Sequence, residues 1–176
     1  MTLTSLLPTL RDSIPSPFDR RVWPAGAVPL IDDVTIAAVS LLRYAEICGT
    51  PCVCSWPAVI PDSDGRASAT EATTVIVATV IAADSTTVRL DARLGDLNPV
   101  WSEARLIGRV SHAYEEPFAL YHAHGDEALA TVRLLPGDPR VGDRIAVPVP
   151  GYHSVGEVRV SRTGRRPGCR CTPPRS

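Results

Sequence analysis

Proline sets the limits on what this chain can fold into. Seventeen prolines are spread through its 176 residues, and twelve glycines interrupt much of the rest. Proline lacks an amide hydrogen and fixes φ, so it ends helices and is confined to first turns, loops and strand edges. Few runs between these residues are long and periodic enough to make a packed helix. The chain is therefore expected to be mainly β: a single-domain, Greek-key-like barrel or sandwich with one or two short helices.

Residues 1–30 hold Pro8, Pro15, Pro17, Pro24 and Pro29 with Phe18 and Trp23 among them, which predicts an irregular arm packed over the rest. Val34–Ile36 is a strand candidate. Ser40 is placed to cap a helix over Leu41–Cys48, whose Leu41, Leu42, Ala45 and Ile47 leave Arg43 and Glu46 for solvent. Gly49 and Pro51 end it. Residues 61–72 are small and polar and predict a loop. Strands are then expected at Thr73–Ala82, Thr86–Asp91, Arg105–Val110, Pro117–Tyr121, Ala128–Arg133, Arg144–Val149 and Val155–Val160, separated by turn-forming pairs. The division expected is an arm over 1–30, a β-domain over 31–160 and a disordered basic tail over 161–176, whose Arg162, Arg165, Arg166 and Arg170 read as solvated.

All 18 basic residues are arginine; there is no lysine. That removes Schiff-base chemistry, because a guanidinium does not deprotonate to become a nucleophilic amine. A net charge of -1 gives no reason to expect nucleic acid or an anionic membrane as partner. The start lacks a basic region followed by a long apolar one, and Val75–Ala83 is too short to span a bilayer. These features predict a cytoplasmic protein with reduced cysteines and no membrane partner.

Four segments carry a family resemblance by their order and spacing. They are Val34–Val53 (VTIAAVSLLRYAEICGTPCV); Asp64-Gly65-Arg66 with the strand Thr73–Val80 after it; Val88–Trp101 (VRLDARLGDLNPVW); and His122–Ser154 (HAHGDEALATVRLLPGDPRVGDRIAVPVPGYHS). Together they span about two-thirds of the chain. They resemble, in turn, the opening strand and helix, the Glu-Pro-Gly-Arg motif, the Asp-Gly-Gly and Asn-Pro-Arg-Pro stretch, and the Cys-Glu-Ser-Gly-Asp motif. These belong to the fold-type III pyridoxal-phosphate decarboxylases, diaminopimelate decarboxylase in particular.

The resemblance implies a loss as well as an ancestry. Between Val53 and Arg66 the family carries an entire (β/α)₈ barrel, which needs about 200 residues or more. Here a dozen remain, so the resemblance implies a β-domain without the catalytic barrel, its Schiff-base lysine or its phosphate loop. The glutamate that faces the pyridine nitrogen in the family falls at Ser63 and the motif's proline at Asp64, while Gly65 and Arg66 persist. The substrate-binding arginine falls at Val100 and the tyrosine after it at Ala104. The Cys-Glu pair falls at His122 and Ala123, with Gly125 and Asp126 retained, and Tyr152 matches the tyrosine that touches cofactor phosphate.

Gly65, Arg66 and Tyr152 are thus vestigial cofactor positions, and His122, Gly125 and Asp126 a remnant of the substrate pocket. No residue is assigned a catalytic role, and no pyridoxal phosphate is expected on the chain alone. The resemblance implies a non-catalytic interaction or regulatory module, partnered by a second copy or a full-length decarboxylase relative. The alternative it leaves is one subunit of a split decarboxylase, completed in trans by a barrel chain.

Two other residue groups bear on metals. Cys48, Cys52, Cys54, Cys169 and Cys171 could supply thiolates to zinc, but neither half has the two-residue knuckle of a zinc ribbon. His122 and His124 fall on one face of a strand with no third ligand evident. No metal is expected. No nucleophile elbow, phosphate-binding loop or dinucleotide fingerprint occurs.

Overall fold

The computed structural model describes residues 2–123 and 128–159, with the backbone alone over 128–134. The expected tail, with Cys169 and Cys171, lies outside the described residues, as do His124, Gly125 and Asp126. The chain is mainly β. A small antiparallel sheet is made of β1 (Ala27–Pro29), β2 (Val34–Ile36) and β3 (Val39–Ser40). The main sheet holds β4 (Cys52–Val59), β5 (Ala67–Ala83), β6 (Thr87–Leu90), β7 (Arg105–Ile107), β8 (Glu115–His122), β9 (Ala128–Pro136) and β10 (Arg144–Pro150). Its strands run in the order β7-β10-β5-β6-β8-β9, with β4 also on β5. The end strands β7 and β9 approach each other, so the sheet curls into a nearly closed barrel.

The long strand β5 explains the closure. β4 lies along its residues 67–77, β10 along 73–79 and β6 along 80–83, with a register shift between Val80 and Ala82. One strand therefore passes from one half of the sheet to the other, bending at an irregularity. Residues 72–78 are buried without interruption, which strict alternation would not give. Both faces are covered. Ile76, Ala78 and Val80 join Val88, Leu90, Phe118, Leu120 and Ile145 inside the barrel. Val75 and Val77 face outward, under Trp23, Ile36, Leu41 and Tyr44.

The outer layer is α2 (Leu41–Cys48), which begins and ends where its sequence dictates. Ser40 Oγ accepts from the Arg43 amide at 2.9 Å, and Gly49 has φ 70°. Asp33 fixes the helix to the small sheet by accepting from the Val34 and Leu42 amides at 2.7 and 3.0 Å. The packed face differs from expectation. Tyr44 is buried, with its hydroxyl donating to the Val53 carbonyl at 3.0 Å, while Ile47 is 69% exposed. A helix this short sits on a curved sheet through one narrow stripe, and the stripe runs through Leu41, Tyr44, Ala45 and Cys48.

Two further expectations are corrected. The stretch 61–72 is a loop only to Arg66; β5 starts at Ala67, where Val59 pairs with it. Its small polar residues face solvent on a projecting hairpin, so polarity there reflects exposure and not irregular backbone. The strand expected at Val155–Val160 is not formed over its described residues, 155–159. Val155–Val158 is a one-turn helix, α3, because Ser154 and Glu157 make a reciprocal capping box; Val158 is buried in the barrel core. The arm also carries a one-turn helix, α1 (Leu3–Leu6), and a 3₁₀ turn over Pro8–Asp12. Among the described residues no helix is long and apolar enough to cross a membrane.

The β2–β3 connection carries strain. Ile36 pairs with Val39 across Ala37 and Ala38, whose φ values are 48° and 65°. Such a two-residue turn ordinarily holds Asn-Gly. An L-residue in this region costs about 1–2 kcal/mol. Ala38→Gly is therefore expected to raise stability by about 1 kcal/mol, seen as a higher denaturant midpoint. An unchanged midpoint would show the turn to be relaxed.

Candidate functional site

A cavity of about 200 Å³ lies where the arm crosses the β7 edge of the barrel. Three arginines line it, and each is held differently. Arg11, from the 3₁₀ turn of the arm, is buried. Its Nε donates to the Thr4 carbonyl, one terminal nitrogen donates to the Ser111 and Ala113 carbonyls, and the other pairs with Glu115 at 3.3 Å. Arg109 follows β7 and reaches the β9–β10 turn. There it pairs with Asp143 at 2.7 Å and Asp138 at 3.0 Å, and Ser111 Oγ donates to Asp138. These carboxylates, with the Asp143 hydrogen bond foremost, raise the Arg109 pKa above its ordinary value.

Arg105, on β7, has no such partner among the described residues. Its terminal nitrogens donate to the Ser16 carbonyl at 2.6 Å and to the Pro17 carbonyl, and its guanidinium lies 5.1 Å from the centre of the Phe18 ring. Its Nε is shut off from solvent and has no acceptor. Burial pushes its pKa down to about 10; Glu103 and Glu115 oppose that only by longer-range attraction. Glu103 Oε2 is already engaged, accepting from the Asp19 amide at 3.1 Å and from Trp23 Nε1 at 3.2 Å. The cleft thus has a neutralised floor and one charge without an ion-pair partner among the described residues.

Of the residues singled out in the sequence, Gly65, Arg66, His122 and Tyr152 are described; they sit elsewhere and do not converge. Gly65 (φ 91°) and Arg66 form the exposed β4–β5 turn. Tyr152 is 69% exposed and follows Gly151, whose amide donates to the Ala72 carbonyl. Six residues of extended strand, about 20 Å along β5, separate that point from Arg66. Thr74 Oγ1 shapes the Tyr152 turn by donating to the Gly151 carbonyl at 2.7 Å and accepting from the His153 amide at 3.1 Å. His122 ends β8, where its Nδ1 donates to the Ala92 carbonyl at 3.1 Å. Residues so dispersed do not fit pyridoxal phosphate: the arginine and tyrosine that would hold it are a strand apart, and no lysine exists to anchor it.

Cys52 and Cys54 point from β4 into the outer core beneath α2, with Cys48 half-buried at the helix end. Burial, then the neighbouring Cys48 and Cys54, push the Cys52 thiol up to about 12. Among the described residues no group of three His, Cys, Asp or Glu is arranged to hold a metal ion. Cys52 therefore stays a protonated thiol at neutral and mildly alkaline pH. Alkylation with peptide mapping is expected to leave Cys52 unmodified in the native protein and modified in denaturant. Labelling of native Cys52 would contradict this packing.

The signal missed in the sequence is Arg105. Nothing local marks it, since its partners Ser16, Pro17 and Phe18 lie far away in the chain. Compared with family models, curated proteins and solved structures, the chain matches none.

Proposed function

We propose that this chain is a non-catalytic interaction module: the β-domain of a fold-type III decarboxylase lineage, closed on itself without the catalytic barrel. The junction between its two sequence pieces carries this reading. β4, from the N-terminal piece, pairs with β5, from the C-terminal piece, from Cys52↔Val77 through Pro57↔Ala72 to Val59↔Ala67. Residues 60–66 alone bridge the point where the resembled family inserts a whole barrel. Trp23, Leu41 and Cys54 of the first piece share one core with Val75, Val77 and Ala146 of the second.

In the resembled family the β-domain of one subunit completes the pocket of another, so a docking face is what such a remnant would retain. The absence of lysine and the separation of Arg66 from Tyr152 support binding over turnover. When the chain is mixed with a full-length diaminopimelate decarboxylase, it is expected to co-elute in size exclusion with light scattering. Two independent peaks would contradict the reading. Pyridoxal phosphate added to the chain alone is expected to give no specific absorbance band.

A further inference from the structure

We propose that the cleft between the arm and β7 binds a small organic acid, with Arg105 as the anchor for its carboxylate and the apolar side chains of the lining holding its body. The inference is independent of the docking reading, since it uses residues outside the family resemblance as well as within it.

A buried cation without a carboxylate partner is costly, and folded proteins pair or neutralise such groups. Arg11 and Arg109 obey this rule in the same cleft, through Glu115 and through Asp138 and Asp143. Arg105 does not: among the described residues its acceptors are two main-chain carbonyls, and its Nε has none. A carboxylate is the ligand that corrects this, because charge-assisted hydrogen bonds are about twice as strong as those to neutral acceptors.

The cleft is about 200 Å³, room for roughly six to ten non-hydrogen atoms at 20–30 Å³ each. Ile31, Leu106, Val110 and Pro136 supply apolar side chains to the same lining. A polar anchor within a partly apolar lining fits an acid with a short hydrocarbon body better than a bare oxyanion.

Because the Ser16 and Pro17 carbonyls hold both terminal nitrogens, the acid takes their place and displaces the segment that carries Phe18. Phe18 stacks on Trp23 with ring centroids 5.0 Å apart, so that movement is reported at the indole.

The test is a titration of the full chain with hexanoate, hexanamide and inorganic phosphate, followed through the Trp23 indole and Arg105 Nε–H resonances. Hexanoate is expected to saturate and to shift both signals, with hexanamide inactive and phosphate weaker. Arg105→Gln is expected to weaken hexanoate by roughly tenfold or more, the worth of one charge-assisted bond. If that variant fails to fold, Ile31→Glu carries the test: Ile31 is 44% exposed at the cleft, and a carboxylate there is expected to repel the acid several-fold. Hexanoate that does not saturate, or that binds no better than hexanamide, would overturn the proposal. So would binding untouched by Ile31→Glu. Phosphate binding as tightly as hexanoate would remove the organic acid as the ligand class.

Discussion

Trp23→Ala is expected to lower the unfolding free energy by about 3–5 kcal/mol, the usual cost of removing a buried tryptophan. Trp23 is fully buried and is the largest side chain of the outer core, which joins the arm, α2 and the outward face of β5. The substitution also removes the indole donor to Glu103 Oε2 and the stack with Phe18. No small side-chain shift fills such a gap, because Leu41 and Tyr44 are fixed by the helix and Val75 and Val77 by the sheet. For a chain of this size each kcal/mol is worth about 2–4 °C, so thermal melting is expected to fall by roughly 10 °C or more. A shift under a few degrees would mean that the arm contributes little to the fold. Trp23→Phe is expected to recover most of the loss by filling much of the volume.

Arg109→Leu is expected to cost about 2–4 kcal/mol, somewhat below the full cost of breaking a buried ion pair because a fifth of the arginine is exposed. Arg109 closes the barrel where β7 and β9 approach: it runs from the end of β7 to Asp138 and Asp143 in the β9–β10 turn. Removing it leaves two carboxylates facing each other with one fewer donor. The double variant Arg109→Leu with Asp143→Asn is therefore expected to be less destabilised than Arg109→Leu alone, and a denaturant double-mutant cycle reads the difference.

The same network sets a pH dependence. Burial alone would raise the Asp138 pKa, but the Ser111 hydroxyl and the Arg109 guanidinium outweigh it and hold the carboxyl below its ordinary value. A folded-state pKa below the unfolded one stabilises at pH above the unfolded value and is lost as pH falls through the folded one. The Asp138 contribution to the parent's unfolding free energy is thus expected to be full at neutral pH and to fall away as pH drops through and below the usual carboxylate range, read by denaturant midpoints against pH. In Arg109→Leu it should fall away at higher pH.

The parts of this fold that were legible in the sequence are those whose causes are local. Ser40, Gly49 and Pro51 bracket α2 to the residue, because caps act within one turn. The β-branched run of β5 and the turn-bounded β10 were legible for the same reason. The β2–β3 hairpin was not: Ala37 and Ala38 occupy a turn that Asn-Gly would have announced, and only the surrounding pairs hold them there. Val155–Val158 looked like a strand by composition, although Ser154 and Glu157 carried the helix signal. The cleft was illegible, because it exists only once Arg105 meets Ser16 and Pro17, a contact that depends on the whole topology. Arg66 and Tyr152 stood out by resemblance, but the strand between them keeps them apart.

The account rests on the N-terminal piece and the C-terminal strands being one cooperative unit. Native-state hydrogen exchange tests this most directly, because partial openings reveal themselves as amides that exchange below the global unfolding free energy. The amides of β4 where it pairs with β5, over Cys52–Trp56, are expected to exchange with the same free energy and the same denaturant slope as those of Ile145, Ala146, Val147 and Val149 in β10. If β4 and α2 open together at a lower free energy while β5 and β10 stay protected, the two pieces are separable layers and the closed-module account is wrong.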